Sequence, residues 1–268
     1  MPGAGLAALV WEGVHVSTWI LLRGLTRESR HWGDFPAILR DKFPAAEVYA
    51  IDLPGNGNLN HQASPARVEE MAESCRAQLR ERGIAPPCFV LAMSLGAMVA
   101  VAWATRYPEE IGGCVLINTS LRPFSPFHHR LRPRSYLPLV RILRRGVDAE
   151  YREGTILGLT SCNAERPETL AEWAGYSRQN PVSVRNSLRQ LRAAACYKAP
   201  SAKPIPPLLI LASAQDRLVD PRCSRRLAER WDAAFAEHPT AGHDLPLDDA
   251  PWVAGQIRRW LQTLAHQL

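Results

Sequence analysis

Short apolar runs recur along the chain at residues 18–22, 48–53, 89–93, 114–118 and 208–212. Between them lie longer stretches in which apolar positions return every three or four residues. The first pattern predicts buried strands. The second predicts helices with one apolar face over residues 32–43, 67–82, 95–106, 222–234 and 251–264. Pro251 falls in the first turn of the last of these, where a missing N–H has no helical partner to lose. Strands alternating with helices build a mostly parallel central sheet flanked by helices, so the fold class is α/β. Upstream of residue 18 the pattern is poor, and the stretch 6–16 accommodates one or two antiparallel edge strands.

From residue 121 to 203 the alternation stops. Helical patterns over 137–145, 167–176 and 182–195 are interrupted by prolines, and Pro200, Pro204, Pro206 and Pro207 lead back to the fifth strand run. An insertion after the fourth parallel strand run folds over the carboxyl ends of the strands, where open α/β sheets bind their ligands. The expected organisation is a core domain of residues 1–120 and 204–268 with a helical cap, or lid, of residues 121–203. Neither an internal repeat nor a low-complexity tract is present.

With 268 residues, 46% of them hydrophobic, the chain can bury a large core, which excludes a disordered or fibrous protein. No run approaches the roughly 18 apolar residues that span a bilayer. The stretch 6–10 is short and lacks a preceding basic segment, so the expectation is a soluble cytoplasmic protein. Cys75, Cys88, Cys114, Cys162, Cys196 and Cys223 are scattered without C-x-x-C pairs, which favours buried free thiols over metal ligands.

The net charge of +6 is unevenly distributed: residues 111–147 contain no carboxylate but include Arg122, Arg130, Arg132, Arg134, Arg141, Arg144 and Arg145, with His128 and His129 beside them. The helix over 137–145 puts Leu139, Ile142 and Leu143 on one side and arginines on the other, the pattern of a solvated face. The sharper alternative is a docking surface formed by Arg141, Arg144 and Arg145 for an acidic carrier protein or an anionic lipid surface. Nucleic acid is not an expected partner, because no helix-turn-helix or RNP pattern occurs and aromatics are not interleaved with the basic residues.

The run Ala92-Met93-Ser94-Leu95-Gly96 joins an apolar strand to a helix and carries a serine between small residues. A serine on so tight a turn adopts a strained backbone, and its neighbours two positions away must be small for strand and helix to approach. Glycine is commoner than alanine at the position of Ala92. A serine hydroxyl needs a base, and the base needs a group that fixes its tautomer. Asp216 follows the fifth strand run and His243 precedes the last helix, giving the chain order Ser94, Asp216, His243. Asp220 and Asp244 compete with Asp216 but read as solvent-facing turn or cap residues. His15, His31 and His238 compete with His243 and read as surface or partly buried imidazoles. An oxyanion would be held by the Leu95 N–H and by the Leu25 N–H, with Gly24 turning that loop inward. The chemistry calls for no metal and no organic cofactor.

On these motifs the chain resembles the α/β-hydrolase superfamily, close in layout to small carboxylesterases and pimeloyl-ACP methyl ester esterases. The resemblance also rests on Arg23-Gly24-Leu25 at the family's His-Gly-x loop, on Asp52-Leu53-Pro54-Gly55-Asn56-Gly57 at its D-x-P-G-x-G turn, and on the Gly242-His243 segment. Arg23 departs from the usual histidine, which puts the loop's supporting hydrogen bonds in question. The resemblance implies a small-molecule ester substrate and a serine esterase acting through an acyl-enzyme. Thioesterase, lactonase, acyltransferase and lyase chemistry share the same elbow. A binding protein that retains a hydrolase-like pocket is the reading from another class.

Overall fold

The computed structural model describes residues 10–11, 14–15, 18–144, 146–163 and 166–266. Two short strands, β1 (Val10–Trp11) and β2 (Val14–His15), form an antiparallel ribbon of their own. The main sheet contains β3 (Thr18–Leu22), β4 (Glu47–Ile51), β5 (Cys88–Met93), β6 (Ile111–Ile117), β7 (Leu208–Ser213) and β8 (Ala234–His238). Its order is β4-β3-β5-β6-β7-β8, and every neighbouring pair is parallel. The chain leaves β3 toward β4 on one side and returns to β5 on the other, so the crevice at the carboxyl ends of β3 and β5 is a topological switch point.

Successive side chains of a strand point to opposite faces, and both faces here are apolar. Ile20, Leu22, Val90, Ala92 and Leu116 pack beneath α2 (Val68–Glu81), α3 (Leu95–Arg106) and α9 (Arg222–Trp231). Trp19, Leu21, Phe89, Leu91 and Ile117 pack beneath α1 (Phe35–Lys42) and α11 (Ala250–Ala265). Trp19 and Phe89 are register partners whose rings stack at 4.9 Å. A Cβ at Gly113 would lie 2.6 Å from the Phe89 ring, so β6 presents bare backbone there.

The remaining helices are α4 (Phe127–Arg130), α5 (Tyr136–Ile142), α6 (Ala149–Thr160), α7 (Pro167–Gln179), α8 (Val184–Cys196) and α10 (Leu245–Asp248). Of these, α4 to α8 intervene between β6 and β7. The sequence pattern missed α6, because Gly154 and Gly158 interrupt its apolar face. Its Asp148 N-cap, accepting from the Glu150 N–H at 2.8 Å, was a legible start signal. It also missed β8. The predicted helix over 222–234 stops at Trp231 because Asp232 turns left-handed, with φ of 45°, and the chain then enters the edge strand. Part of the stretch 6–16, in which edge strands were expected, lies outside the described residues; the ribbon found there does not join the main sheet.

Cys75, Cys88, Cys114 and Cys223 are buried free thiols, whereas Cys162 and Cys196 are free and exposed. No described helix is long and apolar enough to cross a membrane. Leu91 is fully buried between its register partners Leu21 and Val115. Leu91→Ala leaves a cavity at the sheet centre, and urea unfolding should show a loss of about 2–5 kcal/mol.

Candidate active site

Strand β5 ends at Met93, and Ser94 makes the turn into α3 with φ of 51° and ψ of −114°. A β-carbon is disfavoured at positive φ, so surrounding contacts must hold this backbone. The Ser94 N–H donates to the Ile117 carbonyl at 3.0 Å, and the Thr119 hydroxyl donates to the Ser94 carbonyl at 3.1 Å. Gly96 is required by contact: a Cβ there would lie 2.6 Å from the carbonyl oxygens of both Leu22 and Arg23. Ala92 is fully buried, and its methyl group is absorbed in the core beneath α3.

The loop after β3 passes directly beside the serine. A Cβ at Gly24 would lie 3.1 Å from Ser94 Cβ and 3.6 Å from its Oγ. Leu25 follows, while Leu95 occupies the first position of α3, where a backbone N–H has no intrahelical acceptor.

His243 and Asp216 are both buried, and His243 Nδ1 lies 2.7 Å from Asp216 Oδ2. The other carboxylate oxygen accepts the Leu218 and Val219 N–H groups, each at 2.8 Å. Both oxygens of Asp216 are therefore engaged in hydrogen bonds. With Nδ1 donating to Asp216, His243 Nε2 is left as the basic nitrogen. The histidine loop is held from behind. Asn118 donates to the His243 carbonyl at 2.8 Å, Asp248 accepts from the Gly242 N–H at 2.7 Å, and the Asp244 N–H donates to Thr160 at the end of α6 at 2.7 Å.

Ser94 and His243 line one cavity of about 100 Å³, whose other walls include Leu25, Leu139, Ile142, Ile156 and Leu159. It adjoins a groove of about 760 Å³ lined by Ser94, Leu95, Met98, Arg122, Phe127 and Arg130. Thus Ser94, Leu25, Leu95, His243 and, behind it, Asp216 meet at the carboxyl edge of the sheet. Arg141 and Arg144 do not join them: both are exposed on or just after α5. Arg145 lies outside the described residues.

A model of the alpha/beta hydrolase family matches residues 19–256. The chain belongs to the alpha/beta hydrolase family. Among curated relatives, a biotin biosynthesis bifunctional protein BioHC from Teredinibacter turnerae is 26% identical over 94% of the chain and 46% of its own length. A pimeloyl-[acyl-carrier protein] methyl ester esterase from Chromobacterium violaceum is 33% identical over 34% of each chain. The chain therefore spans less than half the length of these curated relatives in the matched regions. Among solved structures, a thermophilic esterase from Thermogutta terrifontis superposes with a TM-score of 0.72 at 21% identity, over 92% of this chain and 90% of that one. The chain thus has relatives named as esterases, and the structural likeness establishes the shared fold.

Two carboxylates expected to face solvent do not. Asp244 is buried and Arg23, the residue standing where the family usually has histidine, grips it with both terminal nitrogens, at 3.0 and 2.5 Å. The guanidinium also contacts Met93 Sδ at 3.2 Å and lies over the Trp32 ring. This pair ties the loop carrying Gly24 and Leu25 to the loop carrying His243. Sequence reasoning marked Arg23 as anomalous but missed its partner, 221 residues away; the one signal was an acid directly beside His243. Asp220 is also buried. It accepts from the Arg222 N–H near the start of α9 at 3.0 Å, and the hydrogen bond from the Arg222 side chain holds its carboxyl below the usual carboxylate range. His31 is buried rather than superficial, and His238 engages Asp249 at 3.1 Å.

The glycines of the Pro54–Gly57 turn answer to sterics: Gly57 has φ of 50°, and a Cβ there would lie 2.2 Å from Asp52 Oδ2. Removing one half of the buried Arg23–Asp244 pair strands the other charge. Arg23→Met should lower the urea unfolding free energy by about 3–5 kcal/mol, and Arg23→Met with Asp244→Leu should recover most of it.

Proposed function

We propose that this hydrolase cleaves carboxylic esters of short to medium acyl chains, with Ser94 as nucleophile. The observation that carries the reading is the strained Ser94 turn opening on the same cavity as His243, whose far nitrogen is hydrogen-bonded to Asp216. In this reading His243 Nε2 takes the Ser94 proton as Oγ bonds to the ester carbonyl carbon. The carbonyl electrons move onto oxygen, and the Leu25 and Leu95 N–H groups stabilise that oxyanion. Collapse of the intermediate breaks the bond to the alcohol oxygen, which receives the proton from His243 and leaves an acyl-serine. Water, deprotonated by the same nitrogen, then releases the acid and restores Ser94. Asp216 fixes the proton of the neutral imidazole on Nδ1 and stabilises the imidazolium when it forms.

Residues 121–203 serve in this reading as the cap. Supporting it, Leu139 of α5, Ile156 and Leu159 of α6, and Leu191 of α8 wall the cavity beside Ser94. The apolar wall suits an alkyl chain. The test is hydrolysis of p-nitrophenyl esters across a chain-length series. Ser94→Ala should reduce kcat by at least about three orders of magnitude, Asp216→Asn by a comparable or smaller factor, and the pair together no further than Ser94→Ala alone. Hydrolysis that persists in Ser94→Ala would defeat the assignment.

An ester carried by an acidic protein is the second reading, favoured by the groove from Ser94 that includes exposed Arg122 and Phe127. Arg141 and Arg144 are exposed nearby and take part in no ion pair among the described residues. Reversing the charge of both should lower kcat/KM for an acyl-carrier-protein methyl ester at low salt, with the difference shrinking as salt is added, and leave p-nitrophenyl butyrate turnover as it was. Equal rates at low salt would remove the carrier from consideration.

A further inference from the structure

The exposed hydrophobic side chains of this protein are unevenly placed. Among the described residues, those at least half exposed are Phe127, Leu137, Val140, Tyr151, Leu188 and Ile205, and all but Ile205 fall between residues 121 and 203. Single apolar residues on a surface need no explanation, but their gathering on one part of a molecule does.

Carboxylates are segregated in the same segment. Within 121–203 every Asp and Glu falls between Asp148 and Glu172, so α4, α5 and α8 carry none. These three helices meet around the larger groove that reaches Ser94, lined by Phe127 and Arg130 of α4, Tyr136 and Leu139 of α5, and Leu191 of α8.

On α5 the apolar and basic characters share one face. Leu137, Val140, Arg141 and Arg144 are spaced i, i+3, i+4 and i+7, which puts them on one side of a helix, and all four are exposed. Arg144 continues that face beyond the last helical residue, because its N–H still donates to the Arg141 carbonyl at 3.3 Å. The opposite side packs inward: Ile142 is buried, and Leu139 and Leu143 wall the cavity beside Ser94. Neither Arg141 and Arg144 nor the exposed Arg185 and Arg192 of α8 form an ion pair among the described residues.

Arginines alone would make an ordinary solvated face; Leu137, 58% exposed, and Val140, 57% exposed, do not belong on one. Unpaired cations with no carboxylate near them in sequence call for an anionic partner, and the two aliphatic side chains between them call for an apolar one. A folded acidic protein answers the first demand with carboxylates. A bilayer containing anionic lipids answers both at a single surface, since its phosphates lie directly above its acyl chains.

We infer that the outward face of α5 docks this protein on an anionic lipid surface, with Leu137 and Val140 entering the headgroup region and Arg141 and Arg144 contacting lipid phosphates. Phe127, exposed on the lining of the groove, extends the apolar contact toward the passage to Ser94. The docking is independent of the ester reading of Ser94, because it is measured as binding, without turnover.

The experiment is sedimentation of the full chain with vesicles of phosphatidylcholine alone and of phosphatidylcholine mixed with phosphatidylglycerol, at low and at high salt. Binding to the mixed vesicles should exceed binding to the neutral ones and should fall with added salt to a remainder held by the apolar contacts. Arg141→Glu with Arg144→Glu should weaken binding to mixed vesicles at low salt by about tenfold or more. Leu137→Ser with Val140→Ser should abolish the remainder at high salt. All four positions are exposed, and thermal unfolding followed by circular dichroism checks that each paired variant keeps the fold. Failure to sediment with mixed vesicles at low salt would overturn the inference, as would binding that both paired variants retain in full. Binding that salt abolishes and that Leu137→Ser with Val140→Ser leaves unchanged would also overturn it, since a purely electrostatic contact of that kind is matched equally well by an acidic carrier protein.

Discussion

The first turn of α3 lies against the carbonyls that end β3, so close that no β-carbon fits at Gly96. That approach forces the Ser94 backbone into positive φ and brings the Gly24 loop alongside its hydroxyl. It is possible only because β3 and β5 are neighbours in a parallel sheet and leave a crevice where the order of strands reverses. The strain is stored in a turn anchored at both ends, by the Ile117 carbonyl and the Thr119 hydroxyl. A side chain held in this way does not have to be ordered when a substrate arrives, which is the sense in which such sites are preorganised.

Around this turn, buried polar groups set the relative positions of three loops. The Arg23–Asp244 pair connects the loop after β3 to the histidine loop, Asn118 connects the histidine loop to the end of β6, and Asp248 and Thr160 connect it to the end of α6. Arg23, Asn118, Thr160 and Asp244 are buried, so each must be satisfied, and the geometry that satisfies all of them together is narrow. Replacing the family's usual histidine by arginine is tolerated because an acid next to His243 meets the guanidinium in a two-point contact. The segment between β6 and β7 is therefore coupled to the carboxyl edge of the sheet through hydrogen bonds as well as through the apolar side chains of α5, α6 and α8.

The cavity system changes character with distance from Ser94. Nearest the serine it is walled by Leu25, Leu139, Ile142, Ile156 and Leu159 and is apolar. A second cavity shares Arg27, Ile142 and Ile156 with it and is lined by Glu28 and Glu153 as well as by Arg152. On the other side, the larger groove leads past Arg122 and Arg130. The two directions are chemically distinct.

What could be read from sequence was whatever the local pattern encodes. The strand at Thr18–Leu22 and helix Leu95–Arg106 appear with the expected bounds, since an unbroken apolar run or a 3.6-residue apolar period specifies them without outside help. The fold class and the residues Ser94, Asp216 and His243 were nameable for the same reason: the elbow needs small residues at fixed spacing, and the chain order is characteristic. Strand β8, which mixes Glu237 and His238 with alanines, and helix α6, interrupted by two glycines, depend on neighbours for their stability and left weak traces. The burial of Asp220 left none, and the Arg23–Asp244 pairing across 221 residues left only an unusual arginine and an acid beside His243. Those features arise where side chains distant in sequence converge in a low-dielectric interior, and only the packed fold decides which charge meets which.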